Sequence, residues 1–226
     1  MKRRDFALAA TATLPVWAFA QGPSKPAPQE GIEYITLDKR VPVESNDGKI
    51  EVIEFFWYSC PHCNAFEPRF AQWIKSVPKD VVVRRVPVRF RDDFEPQQRM
   101  FYTLEAMGKL EALHVKLFTS IHGEKQKLDS FDTLSAWAVK NGLDKAKFAE
   151  VFNSFGVATK ARRATQLQEA FKVQGVPSLG VAGRFYTDGS LASNMESALA
   201  VTDYLIGQVR KGRDCSGALH AKKSVF

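Results

Sequence analysis

Two cysteines stand three positions apart in Cys60-Pro61-His62-Cys63, where the apolar run Val52 to Tyr58 gives way to a helical pattern. Thiols at this spacing can grip a metal or trade a disulfide, and the surrounding sequence has to choose. Zinc would want two further ligands. The remaining candidates, Cys215, His62, His114, His122 and His220, are not paired at ligand spacing, so no metal is expected. The bland alternative to an exchanging pair is a static structural disulfide.

Position separates the two sulfurs. A cysteine at a helix N-terminus faces unpaired backbone N–H groups and the positive end of the helix dipole, which favour thiolate over thiol. Cys60 is so placed, while Cys63, a turn further in, is expected to be buried. His62 can add a hydrogen bond or, when protonated, a charge. Stabilising the Cys60 thiolate favours the reduced form and makes the disulfide the better oxidant.

That chemistry needs an oxidising compartment, and the start of the chain supplies one. Met1-Lys2-Arg3-Arg4-Asp5 is basic, Phe6 to Ala20 is apolar, and Ala18-Phe19-Ala20 has cleavage-type spacing. This reads as a secretory signal peptide over residues 1–20 rather than a membrane anchor, because the stretch is short, contains Pro15 and runs into a Pro-rich segment. Arg3-Arg4-Asp5-Phe6 also resembles a twin-arginine export signal, so the route stays open. The net charge of +7 falls when Lys2, Arg3 and Arg4 leave with Asp5. The remaining excess is spread along the chain without an aromatic-interleaved basic motif, so no nucleic-acid partner is expected.

The elements that must hold the cysteines can be read from hydrophobic spacing. Residues 32–43 alternate enough to suggest a first strand, and residues 50–57 form a second, apolar on both faces except at Glu51 and Glu54. Glu51 is expected near the solvent end. Phe66, Phe70, Trp73 and Ile74 place a helix over Cys63 to Ile74, and Val81 to Val88 a strand parallel to the second. From about Gln97 to Lys172 the spacing is helical throughout, four or five helices with glycines 108, 123, 142 and 156 as C-caps. Strand signals resume at Gly175 to Val181 and Phe185-Tyr186. A last helix begins with the capping box Ser193-Asn194-Met195-Glu196 and runs to about Val209. The fold class is α/β, a domain of residues 32–90 and 164–212 interrupted by an all-helical insertion, residues 91–163. Residues 21–31 are a linker and 213–226 a C-terminal tail.

Glu54-Phe55-Phe56 leading into Cys60-Pro61-His62-Cys63, the helical insertion, and Gly175-Val176-Pro177 before the next strand together resemble the DsbA-type thiol-disulfide oxidoreductases of the thioredoxin superfamily. The likeness covers nearly the whole mature chain in order. It implies a thioredoxin fold and a periplasmic protein dithiol oxidase that works without a cofactor beyond its Cys60–Cys63 disulfide. Reduced, unfolded exported proteins would be the substrates, and a DsbB-like, quinone-linked membrane oxidase the reoxidising partner. Pro61 and His62 would tune the cysteines, Glu54 would handle the proton of buried Cys63, and Val176 with a cis Pro177 would pair with an extended substrate segment.

Other readings stay open. Trp57 and Tyr58 either line the docking surface or belong to the core, and Arg84, Arg85, Arg89 and Arg91 read as a solvated strand surface. Cys215 is expected to be unpaired and non-catalytic. A reductase or isomerase of the same superfamily is the near alternative. Isomerases usually carry a dimerisation domain, and only a short Pro-rich segment precedes the first strand here, so a monomer is expected. A metal carrier or a peptide-binding chaperone is the non-enzymatic alternative.

Overall fold

The computed structural model describes residues 26–45 and 48–223, with side chains as far as residue 212. The expected export signal, residues 46 and 47 and the side chain of Cys215 lie outside the described residues.

Among those residues five strands form one sheet: β1 (Ile35–Thr36), β2 (Ile50–Phe56), β3 (Val81–Pro87), β4 (Ser178–Val181) and β5 (Phe185–Asp188), in the order β1-β5-β4-β2-β3. β2 runs parallel to β3 and antiparallel to β4. Every residue of β2 is buried, because helices cover both faces. On one face Ile50 and Val52 meet Phe66, Phe70 and Trp73 of α1 (Pro61–Ser76) and Leu199 and Leu205 of α7 (Met195–Lys223). On the other, Phe55 packs on Phe171 at 5.2 Å between ring centroids. Gly180 permits that contact, since a Cβ there would sit 2.4 Å from the Phe171 ring. Full burial of a side chain such as Phe70 contributes roughly 1.5–3 kcal/mol.

Between β3 and β4 the chain forms α2 (Glu95–Ala106), α3 (Leu110–His122), α4 (Phe131–Lys140), α5 (Lys145–Phe152) and α6 (Phe155–Ala170). Gly108 and Gly142 adopt left-handed conformations, with φ of +65° and +86°, as helix-ending glycines do. Gly123 ends α3 in the right-handed region. Gly156 is no C-cap, for it lies in the first turn of α6, which Ser154 caps by accepting the Val157 N–H at 3.2 Å. α6 is continuous through residues 163 and 164, so the expected domain boundary falls inside a helix.

Several expectations need correcting. The first strand is two residues long, and Ile32 and Ile35 remain exposed; beyond Thr36 the Leu37 and Val41 N–H groups bond to the Arg184 and Gly183 carbonyls in the turn before β5. Glu51 is not at a solvent end: it is 3% exposed, accepts the Glu44 N–H and lies 3.5 Å from Arg84. α1 starts from an N-cap at Cys60, as expected of the motif, and runs two residues past Ile74 to Ser76. The cap of α7 sits one residue later than the expected box, since Asn194 Oδ1 accepts the Ser197 N–H at 2.8 Å while Ser193 is left-handed. α7 also continues to Lys223, so residues 213–223 are helix rather than tail.

Candidate active site

β2 ends at Phe56, and the turn Trp57 to Cys60 closes with a Cys60 N–H bond to the Trp57 carbonyl. This aims Cys60 at the N-cap of α1, where Pro61 takes the position that needs no N–H donor. Gln97 of α2 clamps the turn from the side: Oε1 accepts the Ser59 N–H at 3.2 Å and Nε2 donates to Ser59 Oγ at 2.7 Å.

Both cysteines are free thiols, so the geometry is that of the reduced protein. Cys60 Sγ accepts the Cys63 backbone N–H at 3.4 Å and stands 3.4 Å from the Val176 carbonyl. Its pKa is lowered to about 6, first by a hydrogen bond from the Cys63 thiol, against partial burial, and then by the backbone N–H groups of Cys63 and His62 and the His62 charge. Cys63 moves the other way. Burial comes first, its role as donor to Cys60 second, and the nearby Glu54 charge also contributes. The Val176–Pro177 peptide is cis and faces the pair. Beside it a groove of about 450 Å³ is lined by His62, Val176, Pro177, Asn194 and Met195.

Glu54 is 2% exposed on β2, and burial pushes its pKa up to about 8, with Arg85 opposing and Glu67 adding to the rise. Its partner was not visible as such in the sequence. The parallel register sets Arg85 of β3 opposite Glu54, with Nε 3.2 Å from Glu54 Oε2 although its hydrogen is not aimed at that oxygen. Arg85 Nη2 donates to Glu67 Oε1 at 2.6 Å, and Glu67 Oε2 lies 3.5 Å from His114 Nε2. The Tyr58 hydroxyl meets His114 Nδ1 at 2.8 Å, and His122 Nε2 contacts the Tyr58 carbonyl at 2.8 Å.

The structure thus gathers Cys60, Pro61, His62, Cys63, Glu54, Val176 and Pro177 at one end of β2, and adds Arg85, Glu67, His114 and Gln97. Two readings change with it. Tyr58 is wholly buried and belongs to the core, while Trp57 is half-buried and stacks on Phe94 at 3.9 Å. Arg85 is no solvated strand residue, and Arg84 is tied to Glu44 and Glu51. A signal for Glu67 was present: it shares the helical spacing of Cys63, Phe66, Phe70 and Trp73, a carboxylate on an apolar stripe.

A cysteine pair at the head of a sheet-flanked helix, facing a cis-proline loop, defines a thioredoxin-fold oxidoreductase with an inserted helical region. Comparison with known proteins narrows this. The DSBA-like thioredoxin domain model matches residues 51–200. The thiol:disulfide interchange protein DsbA of Bordetella parapertussis is 44% identical over 79% of this chain and 85% of that protein. Its counterpart from Pseudomonas aeruginosa is 40% identical over 80% and 85%. A crystal structure of Pseudomonas aeruginosa DsbA superposes with a TM-score of 0.77 at 38% identity, covering 81% of this chain and 95% of that one. DsbA from Xylella fastidiosa gives 0.77 at 28% identity, covering 82% and 100%. The chain belongs to the DsbA-like thioredoxin family, and it is a thiol:disulfide oxidoreductase.

Proposed function

We propose that this oxidoreductase works in the periplasm after removal of residues 1–20, passing its Cys60–Cys63 disulfide to reduced exported proteins. The observation that carries the reading is the opposite displacement of the two thiols, Cys60 down to about 6 and Cys63 up. A substrate thiolate attacks Cys60 Sγ, the Cys60–Cys63 bond breaks, and Cys63 departs with the electron pair and takes a proton from the Glu54 carboxyl. A second substrate thiolate attacks the substrate sulfur of the mixed disulfide and releases the Cys60 thiolate. The substrate is then oxidised and the enzyme holds two further electrons. The cycle invokes no cofactor beyond the disulfide, and a quinone-linked membrane oxidase of the DsbB kind would take those electrons from a monomeric enzyme.

Substrate backbone would pair at Val176 beside Pro177, with flanking side chains in the groove between His62 and Met195. Pro61 sets the helix start behind Cys60, and His62 supplies a backbone N–H and a charge. Residues 91–163 act as a helical cover for the head of β2, anchored to the turn through Gln97. The test is recovery of activity by a reduced, unfolded secreted enzyme. Oxidised protein is expected to accelerate it and Cys60→Ser to abolish the effect; retained activity in that variant would overturn the mechanism. A strongly reducing equilibrium with glutathione would favour a reductase instead.

A further inference from the structure

The polar cluster beneath Cys63 contains two buried carboxylates and one guanidinium. With Glu54 and Glu67 both ionised, Arg85 leaves a net negative charge in a site where neither carboxylate is more than 5% exposed. One proton makes the cluster neutral, and desolvation favours keeping it. Which carboxylate holds that proton matters, because Glu54 is the one whose charge Cys63 feels.

Donors settle the question. Glu67 receives a short, well-aimed bond from Arg85 Nη2, whereas the Arg85 Nε–H is not directed at Glu54. The second asymmetry comes from the helical insertion. His114 of α3 is 5% exposed and its ring is fixed among Phe56, Phe101 and Phe118, with centroids 5.3 to 6.0 Å away. Burial holds the Tyr58 phenol protonated, and with His114 Nδ1 within reach at 2.8 Å we assign its O–H as the donor in that bond. That bond assigns the ring proton to Nε2, the atom facing Glu67 Oε2. The ring is then neutral, and its Nε2–H dipole faces Glu67 Oε2 at 3.5 Å, longer than a hydrogen bond. The titratable groups around the pair are Tyr58 from the turn, Cys63 from α1, Arg85 from β3, and His114 from α3 with Glu111 further along it.

We propose that His114 is a positioning residue which, by turning its Nε2–H toward Glu67 Oε2 at 3.5 Å, places the cluster's single proton on Glu54, next to the sulfur that needs it. The helical insertion then sets the protonation of the thiol site as well as covering it. Glu67 fits this assignment: burial works against its ionisation, yet the neighbouring His114 and Arg85 outweigh burial and hold its carboxyl below the usual range. The proposal rests on the reading of Glu54 as proton donor to Cys63, and the two can fail separately.

The experiment is carboxyl carbon NMR titration of the reduced protein, with Glu54 and Glu67 assigned through Glu54→Gln and Glu67→Gln. In His114→Leu the Glu54 midpoint is expected to fall by about one pH unit and that of Glu67 to rise. The rate of disulfide transfer at pH 7 should drop severalfold. His114→Gln, whose amide N–H can reach toward Glu67, should restore both. A Glu54 midpoint unmoved in folded His114→Leu overturns the proposal. If that variant does not fold, His114→Asn, which keeps a polar group toward Tyr58 and withdraws the one toward Glu67, decides on the same readout. Unchanged transfer at pH 7 in Glu54→Gln would instead remove the proton-donor reading, leaving the midpoints to judge His114.

Discussion

The two ends of the cysteine motif obey different electrostatics. At the Cys60 end, the sulfur takes a hydrogen bond from the Cys63 thiol, is served by backbone N–H groups at a helix start and lies beside an exposed His62, so the charged form is favoured. At the Cys63 end, burial dominates and the nearby ionisable groups are matched against one another. The contrast teaches why a single turn of helix can hold two thiols with opposite tasks. The first must leave as a thiolate and the second must be protonated when released. Neither behaviour follows from the amino acid, since both are cysteines; each follows from which side of the helix start the sulfur occupies.

The contrast breaks most completely if Cys63 is removed. Cys63→Ala should abolish disulfide donation and, with oxidised glutathione, accumulate a mixed disulfide through Cys60, seen by mass spectrometry of the intact protein. The next largest effect is expected from Arg85→Met. Losing one partner of a buried ion cluster strands the others, so stability at pH 7 should fall by about 3 kcal/mol in urea denaturation. The deficit should shrink in acid, where Glu54 and Glu67 can both be protonated.

Glu54 has its own sign. Its folded-state pKa is raised to about 8 from an ordinary value of 4.5, so the folded protein holds a proton the unfolded chain releases. Stability is therefore lost as pH rises from 4.5 to 8. Glu54→Gln should match the parent near pH 4 and exceed it by about 2 kcal/mol at pH 9, a figure kept below the full shift because Arg85 and Glu67 readjust. Equal pH profiles would mean that the carboxyl is ionised in the fold at neutral pH.

How far these regions were legible in the sequence differs in the same way. The Cys60 end was readable because local rules govern it: a cysteine before proline at a helix start, and a Val-Pro before a strand. Glu54 was recognised as odd because a carboxylate interrupted an apolar strand. Arg85 was not, because its partner comes from strand pairing across an intervening helix, and alternation in Val81 to Val88 cannot say which face is covered. His114 was out of reach for a stronger reason: its contact with Glu67 depends on how α3 packs on α1, which no local pattern encodes. The short first strand failed similarly, since alternation from Ile32 to Val43 describes apolar content and not the edge it meets.

A smaller effect sharpens the Cys60 end. With its pKa near 6, Cys60 is a thiolate above that pH, so its stabilisation of the reduced form is lost as pH falls through 6. Reduction should take up two protons below pH 6, changing the potential by about 59 mV per pH unit, and one above it, by about 30 mV. At pH 7 the lowered pKa favours the reduced form by at most about 1.4 kcal/mol, or ~30 mV, less whatever solvent screening removes. A slope near 59 mV persisting to pH 8 would show that the helix start does not hold the thiolate.

The smallest effect concerns the His62 ring, which lies within the motif yet ranks last among the influences on Cys60. The hydrogen bond from the Cys63 thiol comes first, the backbone N–H groups of Cys63 and His62 follow, and the His62 charge comes last. His62→Ala keeps the backbone N–H and removes only the charge of an exposed ring, which solvent screens. The Cys60 midpoint, followed by thiolate absorbance, should rise by less than about one pH unit, and the rise should shrink further at high salt. A larger, salt-independent rise would mean that the imidazole bonds directly to the sulfur and that the helix start alone does not define this end of the motif.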